Sequence, residues 1–215
     1  MELSLVQQIA VWALPVLFAI TLHEVAHGWM ARSLGDRTAE MLGRLSLNPF
    51  KHIDPIGTVL VPVILLLIGG FIFGWARPVP IAARNLKNPK RDMALVAVAG
   101  PAANLLMMMA WALIVRIAGV FGDYAFFSKP LIYMGMAGIM INSVLLAFNL
   151  LPIPPLDGSR VLAAFLPPRL SAQYEAIAPY GLIILMALLF LGVISPVLGP
   201  LVNVFLALAR VIAGG

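Results

Sequence analysis

Residues 19–32 read AITLHEVAHGWMAR, and they place two histidines and one glutamate inside a mostly apolar run from about Leu3 to Arg32. A helix that crosses a membrane needs about 20 mostly apolar residues, so this run predicts a transmembrane helix. An ionisable side chain within such a helix costs about 2.5–3.5 kcal/mol and by default marks a functional site. The same stretch therefore predicts both the fold class and the place of the chemistry.

The composition of the whole chain is that of an integral membrane protein. Of its 215 residues, 62% are hydrophobic and 11% are charged, whereas a soluble domain has about 25% charged residues. The net charge of +5 is explained by basic loops that set the orientation of helices in a membrane. We therefore expect the lipid bilayer as a partner and no nucleic acid.

Further apolar segments follow the first one, at about 58–75, 93–118, 131–150, 180–194 and 196–212. They predict an all-α polytopic membrane protein with about five to six transmembrane helices. Two pieces of the connectors, GRLSLN at 43–48 and WARPVPI at 75–81, are candidates for short β-strands, although prolines limit such strands to edges. No repeat or linker divides the chain, so we expect one membrane-embedded domain over residues 1–215.

The residues His23 and His27 belong to an H-E-x-x-H sequence. On a helix, positions i and i+4 lie on one face, so both imidazoles reach a common point and can hold one zinc ion. Glu24 lies beside them and is placed to act on water at that ion. No proline or glycine interrupts the chain between Pro15 and Gly28, which favours the helix that this interpretation needs.

A catalytic zinc site usually has a third protein ligand and one open position. His52 is the remaining histidine, but it lies in a basic loop, where a solvated or turn role is the better interpretation. Asp157 directly follows a long apolar segment. An Asp-Gly pair after prolines is also typical of a turn. Together with the two histidines, however, a carboxylate at a membrane boundary is the best candidate for the third ligand.

Three separated motifs resemble those of one known family, the site-2 proteases, which are intramembrane zinc metalloproteases. The first motif is H-E-x-x-H at 23–27. The second is N-x-x-P-x-x-x-x-D-G, present here as NLLPIPPLDG from Asn149 to Gly158. The third is a G-P-x-x-N sequence within a helix, present as Gly100, Pro101 and Asn104. The motifs cover residues 23–158 in the order that the family has.

The resemblance implies a role for each matching position. His23, His27 and Asp157 would hold one Zn²⁺ per chain, and Glu24 would be the general base that activates water. Asn149 would engage the substrate or stabilise the developing oxyanion. The expected activity is endoproteolysis of a transmembrane protein or peptide, in or near its transmembrane segment, in regulated intramembrane proteolysis.

The resemblance also implies a minimal form of the family, without a PDZ or CBS domain. The catalytic core would occupy about residues 3–160, and extra C-terminal helices would occupy about 161–215. The substrate would have to unwind locally, and an exposed strand edge from GRLSLN or WARPVPI would receive the unwound peptide by β-addition.

The positions of the basic residues constrain the topology. The loop after the first helix is basic, which predicts that this loop lies on the cytoplasmic side of the membrane. The active site would then lie near that side. We expect the membrane to be the plasma membrane of a prokaryote. If 58–75 crossed the membrane fully, Asp157 would lie on the side opposite the two histidines. Pro62 and the pair Gly69-Gly70 suit a break, and the resembling family has a hairpin in this region. We therefore predict that 58–75 is re-entrant.

Two other kinds of protein are compatible with the same His/Glu/Asp set, a membrane metal-ion transporter and a non-catalytic scaffold. A transporter should carry polar groups along a path through several helices. Here the ionisable groups cluster at one level, and 180–212 has none before Arg210. That distribution favours a localised site.

Overall fold

The computed structural model describes residues 4–68, 74–122 and 126–214. Nine α-helices occur within these ranges, and no strand does. They are α1 (Leu5–Ser33), α2 (Thr38–Met41), α3 (Val61–Ile68), α4 (Pro89–Phe121), α5 (Ser128–Asn149), α6 (Asp157–Phe165), α7 (Pro168–Glu175), α8 (Gly181–Phe190) and α9 (Ser195–Ala213). The predicted all-α class is confirmed.

Five stretches of helix in the described residues are long and apolar enough to cross a membrane. Three of them are α1, α4 and α5, the fourth runs from Pro168 to Phe190 and joins α7 to α8, and the fifth is α9. A 3₁₀ turn at Ala178–Tyr180 connects the two halves of the fourth stretch. The protein is therefore a polytopic integral membrane protein, with a number of spans inside the predicted range.

The central helix of the bundle is α4, which contacts α1, α5, α6 and α9. Glycines bring α4 and α5 close together: a methyl group at Gly138 would lie within 3.0 Å of the Trp111 ring, and one at Gly135 within 3.0 Å of Val115. Such small residues let helix backbones approach closely in a membrane, where dispersion contacts drive association. Because residue numbers rise along α4 as they fall along α5 in these contacts, the two helices are antiparallel.

The C-terminal helices cover the outer side of this core. Ala209 on α9 is buried against Met108 and Ala112 of α4. Leu185 on α8 belongs to a second buried cluster, together with Phe148, Leu151, Leu156 and Ile194. The second cluster packs α8 against the segment that leads from α5 to α6, and it therefore supports the residues just before Asp157.

The segment at 58–75 returns to the point where it starts. It begins in a π-helical turn at Pro55–Leu60 and continues as α3. The backbone N–H of Trp75 donates to the carbonyl oxygen of Gly57 at 3.0 Å, and the hydroxyl of Thr58 donates to Trp75 O at 2.8 Å. The two ends of the segment therefore lie next to each other, as a re-entrant element requires. Residues 69–73 lie outside the described ranges, and the re-entrant element stays a prediction.

The two candidate strands do not form. Residues 43–48 and 75–81 have irregular backbone, with no ladder between them or to another described segment. The cause at 75–81 is that its donors have other acceptors: Arg77 N–H donates to His52 O at 2.8 Å, and Val79 N–H donates to a carboxylate of α1. Pro78 and Pro80 have no N–H to offer.

Candidate metal centre

Three buried side chains from two helices meet at one point. The Nε2 atoms of His23 and His27 are 3.1 Å apart, and Oδ2 of Asp157 lies 3.3 Å from each of them. The residues are 9%, 7% and 9% exposed, in that order. The structure therefore brings together the three residues that the sequence predicted as ligands.

Local backbone requirements explain how this contact forms. The two histidines lie one turn apart on α1, so their side chains leave the helix on one face. Asp157 is the first residue of α6, and Gly158 lets α6 begin directly against the end of α5. A methyl group at Gly158 would lie within 3.0 Å of the carbonyl oxygens of Leu150 and Leu151. The Asp-Gly pair thus serves a close approach of two backbones rather than an exposed turn.

The hydrogen bonds at the far side of each imidazole define its protonation. Nδ1 of His27 lies 2.7 Å from the carbonyl oxygen of Val96, which can only accept, so this nitrogen carries the proton. Nδ1 of His23 lies 2.6 Å from Oδ1 of Asn104, which likewise accepts. In a neutral imidazole the other nitrogen then presents a lone pair. Both Nε2 atoms therefore direct lone pairs at Asp157.

This arrangement fits a metal cation. Oδ2 of Asp157 is buried and has no hydrogen-bond donor among the described residues. Three electron-pair donors lie within 4.8 Å of one another, and without a cation the buried carboxylate would be left uncompensated against two lone pairs. Two imidazole nitrogens and one carboxylate oxygen are the donor types that zinc takes, and three protein ligands leave the open position of a catalytic site.

Helix α4 forms one wall of the centre through a residue without a side chain. A methyl group at Gly100 would lie within 3.0 Å of Nε2 of His27 and of Cε1 of His23. Both rings therefore lie directly against the backbone of α4. The same helix provides Val96 and Asn104, so the stretch from 96 to 104 contacts both histidines.

The carboxylate of Glu24 is hydrogen bonded to a residue outside α1. Its Oε2 accepts a hydrogen bond from the backbone N–H of Val79 at 2.8 Å. Val79 belongs to the irregular segment that follows the re-entrant element. Its side chain packs on Gly28, where a methyl group would lie 3.0 Å from Cγ1 of Val79. The connector thus fixes the glutamate beside the two histidines.

The chain is similar over most of its length to proteins named as zinc metalloproteases. A Bacillus subtilis protein with the name zinc metalloprotease YwhC is 39% identical over 190 residues, which is 87% of this chain and 84% of the relative. In addition, the model of peptidase family M50 matches residues 114–191. The chain belongs to peptidase family M50.

More distant M50 relatives are mycobacterial. The proteins named zinc metalloprotease Rip2 of Mycolicibacterium smegmatis and of Mycobacterium tuberculosis H37Rv are 32% and 28% identical, over 80% of this chain in both comparisons. The alignments cover 64% and 63% of the relatives. No solved structure gives a significant match. Membership of an M50 peptidase family favours an enzyme over the transporter and the scaffold.

The other two residues that the sequence singles out, Asn149 and His52, lie as follows. Asn149 is the last residue of α5, and its amide nitrogen donates to Leu145 O of the same helix at 3.0 Å. Its donor is thus turned towards its own helix. His52 is 1% exposed and bonds through Nε2 to Ser46 O at 2.8 Å. It is a buried link within its loop, and not a solvated residue.

Several contacts of this site have no signal in the sequence. Gly100 and Asn104 belong to a motif whose physical role the sequence does not show, and no pattern distinguishes Val79 or Val96. Each of them acts through a partner at least 55 residues away. The proline of the motif, Pro101, was the one local signal that the backbone of α4 is special here.

Proposed function

We propose that the chain is a zinc-dependent intramembrane endopeptidase in which His23, His27 and Asp157 hold one zinc ion. Its membership of family M50 makes it a metallopeptidase. The observation that carries the assignment of the ligands is the convergence of three buried metal-ligand atoms from His23, His27 and Asp157, which lie within 4.8 Å of one another. Such a set is stable in a buried site when a cation lies among its members.

The chemistry divides among the residues around this point. When bound, zinc would supply a Lewis acid that polarises the scissile carbonyl and makes water more acidic. Glu24 takes the proton of the attacking water and delivers it to the leaving amine. Asn149 turns its amide from Leu145 O towards the substrate and donates to the developing oxyanion. The bond from Val79 keeps the carboxylate of Glu24 beside the histidines during these transfers.

We assign to the protein substrates that are themselves transmembrane proteins or peptides, cleaved in regulated intramembrane proteolysis. The support is the location of the site, because all three ligands are buried within a bundle of helices that can span a membrane. The membrane is the plasma membrane of a prokaryote, and the site lies near its cytoplasmic side, as the basic connectors indicate. One domain holds the catalytic core at about 3–160 and the C-terminal helices at about 161–215.

Two residues of the piece at 43–48, Leu45 and Leu47, offer unpaired backbone N–H groups to an unwound substrate. Within the described chain, the N–H groups of Leu45 and Leu47 donate no hydrogen bond. The segment lies against the catalytic helix, since a methyl group at Gly28 would be 3.0 Å from Cδ1 of Leu45. An extended peptide would pair with this edge by β-addition and so expose its own carbonyls. The piece at 75–81 is less suited, because the N–H groups of Trp75, Arg77 and Val79 already donate to other acceptors.

The proposal is tested by cleavage of a transmembrane substrate in detergent, with zinc content measured on the same samples. We expect Glu24→Gln to retain zinc and to lose about 10²–10⁴-fold in cleavage rate, because only the proton transfer is removed. We expect Asp157→Asn to lose zinc and activity together, and chelation to abolish cleavage by the wild type. Glu175→Gln, at an exposed carboxylate, is the control that should change neither. Cleavage that survives Glu24→Gln would refute the mechanism.

A further inference from the structure

A pair of buried amides connects α5 through α4 to His23, and one of them, Asn142, belongs to none of the motifs. Asn104 and Asn142 are both 0% exposed. An amide buried among apolar helices is costly unless its atoms are hydrogen bonded. The partners of these two side chains therefore show what the pair does.

The orientation of the Asn142 amide is fixed by its own helix. Its nitrogen donates to the carbonyl oxygen of Gly138 at 2.8 Å. Since that carbonyl can only accept, the NH₂ group must face it, and Oδ1 must face the other way. Oδ1 then lies 3.0 Å from the amide nitrogen of Asn104 and accepts from it.

The amide of Asn104 transmits this orientation to the metal centre. Its nitrogen has two hydrogens, which go to Asn142 Oδ1 at 3.0 Å and to Ala19 O at 3.3 Å. Oδ1 of Asn104 is therefore the atom that faces Nδ1 of His23, at 2.6 Å. If the amide of Asn104 were reversed, its NH₂ would face His23, and Nδ1 would have to give up its proton.

The two histidines differ in how their tautomer is imposed. His27 donates to a backbone carbonyl, that of Val96, which has a single possible role. His23 donates to an amide that has two possible orientations. Two hydrogen bonds oppose reversal of that amide. The bond to Ala19 O is long, at 3.3 Å, and the bond to Asn142 is shorter, at 3.0 Å. The protonation of His23 thus depends on a side chain that does not touch it.

We infer that Asn142 is a positioning residue for the metal centre, acting through Asn104 to keep the proton of His23 on Nδ1 and the lone pair on Nε2. The inference rests on the proposed function in so far as that lone pair binds zinc. Partners that orient a ligating histidine and set its tautomer are worth about 10–100-fold in metal affinity. Here the orientation of the Asn104 amide is set by Asn142, which lies on a different helix and is connected to His23 through two successive hydrogen bonds.

A purely adhesive role of the two amides between α4 and α5 leads to different expectations. Amide pairs between membrane helices hold the helices together, and such a role would change thermal stability without changing His23. A role in positioning changes the ring of His23 and spares the ring of His27. The two histidines therefore provide an internal comparison.

The first test is ¹⁵N NMR of the metal-free full-length protein, labelled at its three histidines. At alkaline pH we expect the neutral rings of His23 and His27 in the wild type to carry their protons on Nδ1. In Asn142→Leu, which keeps the size of the side chain and removes the acceptor, His23 should become a mixture of tautomers while His27 stays unchanged. A wild-type His23 with its proton on Nε2 would overturn the inference without any variant.

The second test measures zinc affinity by competition with a chelating dye. We expect Asn142→Leu to bind zinc about 10–100-fold more weakly, and Asn142→Asp to recover most of the affinity because it keeps an oxygen that accepts from Asn104. Ser143→Ala is the matched control. Ser143 is the next residue on α5, equally buried and without a hydrogen-bond partner among the described residues, so its removal should leave the affinity unchanged.

The outcomes separate this inference from the proposed function. If the wild type binds zinc and cleaves its substrate while Asn142→Leu behaves identically, the positioning role is wrong and the protease stands. If the tautomer of His23 responds to Asn142→Leu but the wild type binds no zinc, the amide pair stands and the proposed function is wrong. A loss of zinc affinity in Ser143→Ala as large as in Asn142→Leu would show general disturbance of α5 and would overturn the positioning role.

Discussion

Gly100 shows at the scale of one residue how much of this site depends on a missing side chain. Alanine is the better helix former, so Gly100→Ala should favour α4 as a helix. Its methyl group, however, would lie within 3.0 Å of both imidazoles and would have to displace them. We expect zinc affinity to fall about 10–100-fold, as when the support of a ligand is lost, with a parallel loss of cleavage.

The control for Gly100→Ala lies on the same helix. Gly119 has open space around the position of a side chain, so Gly119→Ala should keep zinc affinity and cleavage and stabilise the protein by about 0.5–1 kcal/mol at most. Zinc titration and thermal unfolding of both variants make the comparison. Unchanged zinc binding by Gly100→Ala would contradict the contact between α4 and the histidines.

The residues of the site differ in how far the sequence alone could predict them. His23, Glu24 and His27 were predictable because their geometry is local: spacing on a helix places them together. The position of Asp157 relative to them depends on packing of α6, and the prediction came from a family motif. Asn142 and Val79 were not predictable, because their roles exist only through hydrogen bonds between segments distant in sequence, and no periodicity reports such bonds.

At the scale of secondary-structure elements, the re-entrant segment makes a topological prediction. The chain has no cysteine, so single-cysteine labelling in sealed vesicles has no background. We expect Met41→Cys and Lys87→Cys to react from the same side, because the hydrogen bonds from Trp75 to Gly57 and from Lys87 to Leu34 O hold both connectors at one end of the bundle.

A third cysteine defines the opposite side in this labelling experiment. Phe126 is 94% exposed and lies between α4 and α5, at their other end, so Phe126→Cys should react only from the side opposite to Met41→Cys. Reaction of Lys87→Cys together with Phe126→Cys would mean that the segment at 58–75 crosses the membrane.

The irregular segment at 44–48 makes a prediction about the substrate. Proline at position 45 or 47 removes an N–H that a paired peptide would use. We expect Leu45→Pro or Leu47→Pro to reduce cleavage about 3- to 10-fold, the value of a net hydrogen bond of about 0.5–1.5 kcal/mol. Zinc content should not change. Leu45→Ala and Leu47→Ala keep the N–H group and serve as controls, and equal cleavage by the proline and alanine variants would argue against pairing.

The elements were predicted from apolar length more accurately than from local pattern. Long apolar runs gave the spanning helices, because in a membrane the backbone must satisfy its own hydrogen bonds. The alternating pieces at 43–48 and 75–81 predicted strands that do not form. Alternation of apolar and polar residues indicates which side chains would share a face of a strand, but it does not indicate which acceptors the backbone finds. In 75–81 the N–H groups of Arg77 and Val79 donate to His52 O and to the carboxylate of Glu24.

At the scale of the whole molecule, Asp36 links the loop after α1 to the connector before α4. Its carboxylate is 1% exposed and accepts from Thr38 Oγ1 at 2.5 Å, Ala82 N at 2.6 Å and Asn85 Nδ2 at 2.9 Å. Burial disfavours the charged form, but the bonds from Thr38, Asn85 and Ala82 outweigh it and hold the pKa of Asp36 below its usual value. The ionised form therefore stabilises the folded protein.

The pH dependence of stability follows from that direction. Because the folded pKa is lowered, the contribution of Asp36 is complete above the usual value of 3.8 and is lost as the pH falls through the folded value. In Asp36→Asn an NH₂ group faces the N–H of Ala82, which should cost about 1–3 kcal/mol at neutral pH. Thermal unfolding in detergent should show a difference in stability between wild type and variant that shrinks as the pH falls below 3.8. A difference independent of pH would contradict the role of the charge.

The hydrogen-bonded closure between Gly57 and Trp75 has a consequence for how the chain tolerates changes in length. A loop whose ends are held together pays for extra residues only logarithmically, at about 0.6 kcal/mol for each doubling. We therefore expect insertions or deletions between these two residues to leave Val79 and its bond to Glu24 in register. The length of the segment and the position of that carboxylate are thus separately adjustable.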